Sequence, residues 1–481
     1  MFTAYTYEDW LSEPDKLDMI AKIIQSYRTS RDFKHALMAQ RYFQSDNAGI
    51  KNKYIVQLDV QTAVDEETGA KKTLSRKVKV AGTRISSSFL FRFVTQENQH
   101  LLGNGVTLKG IDKKKAGIAF DTVLSSMGEK ALVDGVCWGF WNNDHIEEIR
   151  AAVDGLSGAV ALVGELDSQP RMLIQFWRLN TKKPMFVRVF ESDGVTLYKT
   201  GDDGKLREEQ AKQPYQRTVL RDAAGETEIA SGNYPFLPVI PLYANPEHRS
   251  ELSEAIQTKI DCFDRIASDF GDNLEMANDI YWVLNNFGGS ERQVLETLSK
   301  IKELRAVANI SDGTGSGSTA EPHTFEVPYA ARQVALDILR RELYRDAMAL
   351  DIETLSGASL STEAIETASK ELNLKCDRFE WQVFDFVQKV LLLAGIQTEG
   401  ISFKRQNITN TTQVIENIYR AAEDLDQRTR LKLNPMIPDD DIDAIMEAKA
   451  AERTTGLPDV KTLEQEIARM RQEDANGTGQ S

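Results

Sequence analysis

The chain has 481 residues, 41% of them apolar, and a formal charge of −15, so it carries enough apolar mass for a sizeable core and for more than one structural unit. The acidic balance argues against a protein that holds a phosphate backbone tightly, because such affinity comes from Lys and Arg displacing counterions. The start MFTAYTYEDWLSEPDK lacks the basic and apolar regions of a signal peptide, and no apolar run reaches membrane-spanning length, so the expected compartment is a cytosol.

From Pro14 to Phe43, Leu17, Ile20, Ile24 and Tyr27, then Phe33, Ala36 and Leu37, recur at helical spacing and predict an N-terminal helical region. KYIVQLDV and SRKVKVAG flank the turn-rich VDEETGAKK and predict a strand pair. From about Gly155 to Ile229 the β-branched and aromatic runs RMLIQFWRLN and MFVRVFESDGVTLYKT predict further hairpins, with tight turns at Asp193-Gly194 and Asp203-Gly204.

After FLPVIPLYANPEHRS the pattern turns helical. Leu252, Ile256, Ile260, Phe263, Ala267, Phe270, Leu274 and Ala277 predict one long helix with an apolar face. A mixed piece, IYWVLNNFGG, a short charged helix near Arg292 to Arg305 and a Gly/Ser-rich tract, SDGTGSGSTAEPHTFEV, follow. Pro328 suits the first turn of a second long helix carrying Ala331, Val334, Ile338 and Leu350. A third helix, capped by Ser361 or Thr362, carries Ile365, Ala368, Leu372, Cys376, Phe379, Val383, Phe386, Val390 and Leu393 at steps of three and four. The charged tail after Ala450, ending DANGTGQS, is expected to be frayed or disordered.

No catalytic constellation emerges. The three Cys, at 137, 262 and 376, read as reduced structural thiols. The five His, at 35, 100, 145, 248 and 323, have no metal-ligand spacing and read as surface or capping residues. DGTGSGS lacks the Gly-Lys-Ser/Thr ending of a phosphate-binding loop, and DKKKAG reads as a solvated basic run. Asp439, Asp440 and Asp441 read as a helix start. The alternative they leave open is a metal-dependent nuclease or ATPase working on DNA.

Several ordered stretches carry a resemblance: RYFQSDNAGI, FLFRFVTQENQHLLGNGVTL, GEKALVDGVCWGFWNND, LSGASLSTEAIE and above all PVIPLYANPEHRSELSEAIQTKIDCFDRIASDFGDNLEMAN. Over roughly Gln40 to Ile445 the chain resembles the portal proteins of tailed bacteriophages, in the family typical of long-tailed phages. The resemblance implies an α+β, mainly α, portal fold arranged as a ring, with no enzymatic activity and no cofactor or metal. Its parts would be a wing over 1–248, stem helices at 249–279 and 328–350, a clip at 280–327, a tunnel loop at 351–362, crown helices at 363–450 and the tail at 451–481.

The same resemblance implies a DNA-facing tunnel loop of Thr354, Leu355, Ser356, Gly357, Ala358, Ser359, Leu360 and Ser361, and a partner-docking clip carrying Asn285, Asn286, Arg292, Lys300, Lys302 and Arg305. Its implied partners are further copies of the chain, as a dodecamer, and double-stranded DNA passing without sequence specificity. Terminase large subunit, head-completion or adaptor proteins, major capsid and scaffolding proteins complete the set, with no membrane. The product would be made in the bacterial host cytoplasm and reside in the virion at the capsid portal vertex.

Overall fold

The computed structural model describes residues 3–51, 55–64, 71–79, 82–111, 113–167, 169–222, 225–277, 281–285, 319–323, 329–355, 362–405, 418, 420, 426–434, 437 and 442–455. It divides into two compact units, Met1–Asp351 with Lys370–Gln406, and Ile352–Ser369 with Asn407–Ser481.

The first unit opens with helices α1 (Tyr7–Ser12), α2 (Lys16–Thr29), α3 (Arg31–Phe43) and α4 (Ala48–Lys51). The helical region predicted over Pro14 to Phe43 is therefore two helices, α2 and α3, broken at Ser30. Asp15 caps α2 through the Asp18 amide, and Ser30 caps α3 through the Phe33 amide, each replacing a donor that a helix start leaves unbonded. Ile20, Ile24, Tyr27, Phe33 and Ala36 are buried as their spacing predicts, whereas Leu17 is exposed.

The predicted strand pair is β1 (Ile55–Val64) and β2 (Lys71–Lys79), antiparallel with Ile55 opposite Lys79. Helix α5 (Phe89–Leu102), strand β3 (Val106–Lys109) and helix α6 (Phe120–Asp134) follow. The next strands are β4 (Val136–Asn142), β5 (His145–Arg150), β6 (Ala152–Val153), β7 (Ser157–Val163), β8 (Pro170–Trp177), β9 (Phe186–Glu191), β10 (Gly194–Thr200) and β11 (Leu206–Gln213). Then come β12 (Gln216–Asp222), β13 (Gly225–Gly232) and β14 (Val239–Tyr243). Strands β6 to β11 form a six-stranded antiparallel meander, and Gly194 and Gly204 supply the positive φ values of 150° and 78° in its last two turns.

The three-stranded sheet β14-β4-β5 separates two cores. Side chains of β4 alternate across it: Val136, Trp138 and Phe140 enter the core built with α2 and the meander, while Cys137 and Trp141 enter the core built with α5, α6 and later helices. All three Cys are free thiols. Gly139 lies on the second face, where an added Cβ would come within 2.8 Å of Phe386. That close approach explains a glycine inside a fully buried strand.

The remaining elements are α7 (Glu254–Ala277), β15 (Tyr281–Asn285), β16 (Thr319–His323), α8 (Tyr329–Asp346), α9 (Ile352–Leu355), α10 (Thr362–Leu393), β17 (Gly400–Phe403), α11 (Gln427–Leu433) and α12 (Ile442–Thr455). In α10, Leu372, Cys376, Phe379, Val383, Phe386, Val390 and Leu393 are all buried, as their periodicity predicts. β17 closes on β3.

In the second unit, Asp426 caps α11, and Arg428 pairs with Asp443 of α12 at 2.8 Å. The expected tail begins inside α12, which continues to Thr455; residues 456–481 lie outside the described residues. No described helix is long and apolar enough to cross a membrane.

Candidate functional site

The two long helices predicted on either side of the Gly/Ser-rich tract, α7 and α8, pack as an antiparallel pair. Near the start of α7, Lys259 places its Nζ 3.0 Å from Glu342 and 2.6 Å from Asp346, near the end of α8. Ten residues further along α7, the Asp269 carbonyl accepts a bond of 3.1 Å from Arg332 near the start of α8. The hairpin β15-β16, with Tyr281 opposite His323 and Asn285 opposite Thr319, lies in the chain between them.

Helix α8 ends at Asp346 rather than reaching Leu350, which was expected on its face. Met348 adopts φ +50°, its amide bonds the Arg345 carbonyl at 3.1 Å, and the Ala349 amide bonds the Tyr344 carbonyl at 2.9 Å. These two bonds form a Schellman stop, which a residue in left-handed conformation imposes whatever the apolar period beyond it.

Burial along the pair is uneven. At the base, Ile256, Ile260, Leu343 and Tyr344 are buried in the α5–α6 core, and Phe89 and Phe93 of α5 meet the Tyr344 ring edge-to-face. Towards the other end, Leu274 is 49%, Val334 56%, Ile338 45% and Tyr329 64% exposed. The apolar face predicted for α7 is thus covered by this chain through Ala267 and left open at Leu274.

Acidic and hydroxyl groups of α7 do a second job. Asp264, Ser268 and Asp272, one helical turn apart, accept backbone amides of Ser87 at 2.9 Å, Ile85 at 3.1 Å and Thr83, respectively. Two residues of extended chain advance about 6.6 Å and four residues of helix about 6.0 Å, so segment 82–88 lies along α7 in step with it. Gly271 permits the approach, since a Cβ there would stand 2.8 Å from the Thr83 side chain. Asp264 is fully buried and also takes a bond from Asn47. Burial raises its pKa, while the Ser87 and Asn47 bonds oppose that rise.

Of the residues expected to face DNA, Thr354 and Leu355 close the short helix α9, so the segment begins helically; Ser356, Gly357, Ala358, Ser359, Leu360 and Ser361 lie outside the described residues. Asn285 ends β15, while Asn286, Arg292, Lys300, Lys302 and Arg305 lie outside them. The Gly/Ser tract and Asp439, Asp440 and Asp441 also fall outside. Among the described residues no group of three or more His, Cys, Asp or Glu could hold a metal ion. One histidine corrects the surface reading: His100 is buried, with Nε2 2.8 Å from the Asn373 side-chain oxygen. The residues that sequence reasoning missed are Asp264, Ser268 and Asp272. Their i, i+4, i+8 spacing was the available signal, and it reads equally well as the wet face of an amphipathic helix.

The fold therefore combines a two-core body with an antiparallel helix pair whose apolar face is half uncovered. The chain belongs to the phage portal protein family: the family model described as "Phage portal protein, SPP1 Gp6-like" matches residues 24–478. The match extends beyond both ends of the stretch over which the resemblance was read, and includes most of the charged tail. The portal protein of Clostridium phage phiCD119 is 26% identical over 191 residues, covering 39% of this chain and 41% of that relative. The chain thus matches about two fifths of the length of this curated relative. The family is a structural one, and neither comparison supports a metal-dependent nuclease or an ATPase.

Proposed function

We propose that the protein forms a portal ring of twelve copies at one capsid vertex, through which double-stranded DNA is packaged and ejected. Membership of the portal family supports this reading, and the observation that carries it is the uncovered apolar half of the α7–α8 pair, which a neighbouring copy would cover. Residues 1–248 form the wing, 249–279 and 328–350 the stem, 280–327 the clip, 351–362 the tunnel loop, 363–450 the crown, and 451–481 the tail. The clip, with Asn285, Asn286, Arg292, Lys300, Lys302 and Arg305, docks terminase and later the head-completion proteins. Capsid and scaffolding proteins meet the ring elsewhere.

Twelve helices side by side at about 9 Å give a circumference of about 110 Å and a centreline diameter of about 34 Å. Subtracting one helix width of about 10 Å leaves a bore of about 24 Å, slightly wider than a B-form duplex. Twelve chains of −15 carry 12 × −15 = −180 formally, a field that disfavours a static complex with the duplex. The stretch ETLSGASLSTEA suits a loop beside moving DNA. Between Glu353 and Glu363 it carries no charge, so it offers phosphates no charge-assisted bond that would arrest them.

The test is DNA filling of heads assembled with this protein. Wild-type rings should yield filled heads, and Gly357→Val should leave ring assembly intact while reducing filling, because a β-branched residue removes backbone freedom. Normal filling by Gly357→Val contradicts the role given to the loop, and heads that fill equally well without the protein contradict the portal reading.

A further inference from the structure

Helix α5 offers one face, Phe89, Phe93, Gln96, Glu97 and His100, to the chain on both sides of segment 351–369. At the exit, Gln96 brackets a single residue: its Oε1 accepts the Leu350 amide at 2.9 Å and its Nε2 donates to the Leu350 carbonyl at 3.0 Å. A carboxamide is the side chain that offers an acceptor and a donor side by side, so this pair of bonds fixes the orientation of the Leu350 backbone as well as its position. The next residue, Asp351, accepts a bond of 2.7 Å from Arg340 of α8.

At the return, two neighbouring positions of α10 meet the same face of α5. His100 reaches the Asn373 side-chain oxygen; an amide oxygen accepts, so Nε2 carries the proton. Glu97 stands 2.8 Å from the Lys375 ammonium, which also lies 2.5 Å from Glu251, just ahead of α7. Glu97 and Lys375 are both buried. Burial and the Glu251 charge raise the Glu97 pKa, with Lys375 opposing them, and the two carboxylates hold Lys375 in its charged form.

Replacing a buried ion pair by apolar side chains of similar volume is often neutral for stability, because desolvating the pair costs about what the attraction returns. What the polar set adds is orientation. We propose that Gln96, Glu97 and His100 are positioning residues which fix where segment 351–369 leaves and rejoins the body, and so set the reach of the loop towards DNA. The proposal rests on the portal reading for its consequence, while the anchor itself is a property of the single chain.

Two measurements separate those levels. In Gln96→Met, hydrogen exchange at the Leu350 amide should accelerate about tenfold or more while amides within α5 stay protected, since one bracket is lost and the helix is not. In packaging, rings of Gln96→Met should form with wild-type mass and fill heads about threefold more slowly, the scale of coupling that a packed network carries. If Gln96→Met fails to fold, Gln96→Ala, which removes both Leu350 bonds without adding apolar bulk, carries the same test and should also speed exchange at Leu350 and slow filling. Unchanged exchange at Leu350 overturns the anchor. Accelerated exchange with wild-type filling overturns its role in positioning the loop. Failure of wild-type rings to fill heads would sink the portal reading and leave the exchange result to decide the anchor.

Discussion

The two ends of the α7–α8 pair are built from the same kinds of residue and treated in opposite ways. At the base, Ile256, Ile260, Leu343 and Tyr344 are enclosed by α5 and α6; towards the other end, Leu274, Val334 and Ile338 of the same two helices stand open. Two helices alone cannot bury a full apolar stripe on each, so the sequence supplies apolar surface that one chain does not use. The difference teaches that stability of the chain resides at the base, and it leaves the open end as the surface proposed for association.

The comparison is broken most severely at the base. Leu343→Ala should cost about 2–5 kcal/mol of unfolding free energy in chemical denaturation, the range for deleting a fully buried leucine. A loss below about 1 kcal/mol would mean the base is not a packed core. Next comes Asp264→Ala, which leaves the Ser87 amide without its acceptor and the Asn47 side chain with only its bond to the Ser87 carbonyl. It should cost about 1–3 kcal/mol and speed hydrogen exchange along 82–88. Unchanged protection there would show that segment 82–88 does not depend on α7.

A smaller effect comes from pH. Burial and the Glu251 charge push Glu97 up to about 8, against Lys375 and Arg378. A carboxyl whose folded pKa is raised contributes stability that is complete below its ordinary pKa and lost as pH rises through the folded value. The melting temperature of the wild type should therefore fall as pH rises from about 4.5 to about 8 and level off above it, and Glu97→Gln should flatten part of that fall by about 2–4 °C. Parallel curves for the two proteins would contradict the direction assigned to Glu97. The smallest effect on the chain, within about 0.5 kcal/mol, is expected from Val334→Ser with Ile338→Ser, because both residues are exposed. The same double change should lower the share of oligomer seen by mass photometry; an unchanged share would remove the open end from the interface.

How much of this was legible follows from what periodicity encodes. From Leu372 to Leu393 the buried face of α10 was readable from its period, because apolar groups at steps of three and four have one helical interpretation; Ala368 is half-buried, and the Ile365 side chain lies outside the described residues. The hairpin turns at Gly194 and Gly204 were readable because they need positive φ. Helix α5 was not read as an element. Its inward face mixes Phe89 and Phe93 with Gln96, Glu97 and His100, and a pattern search takes buried polar residues for surface. His100 was misread for that reason. Asp264, Ser268 and Asp272 failed differently, since sequence marks the polar face of a helix but not the backbone donors laid against it. The end of α8 was hidden because Met348 takes a left-handed conformation that its residue type does not announce.

The central claim is that many copies of this chain close around a passage wide enough for duplex DNA. Imaging of the purified protein by electron cryomicroscopy tests it most directly. The account predicts annular particles of twelve subunits with a central channel of about 24 Å between facing helices. Monomers under assembly-permitting conditions, or a ring whose channel is narrower than the duplex throughout, would contradict it.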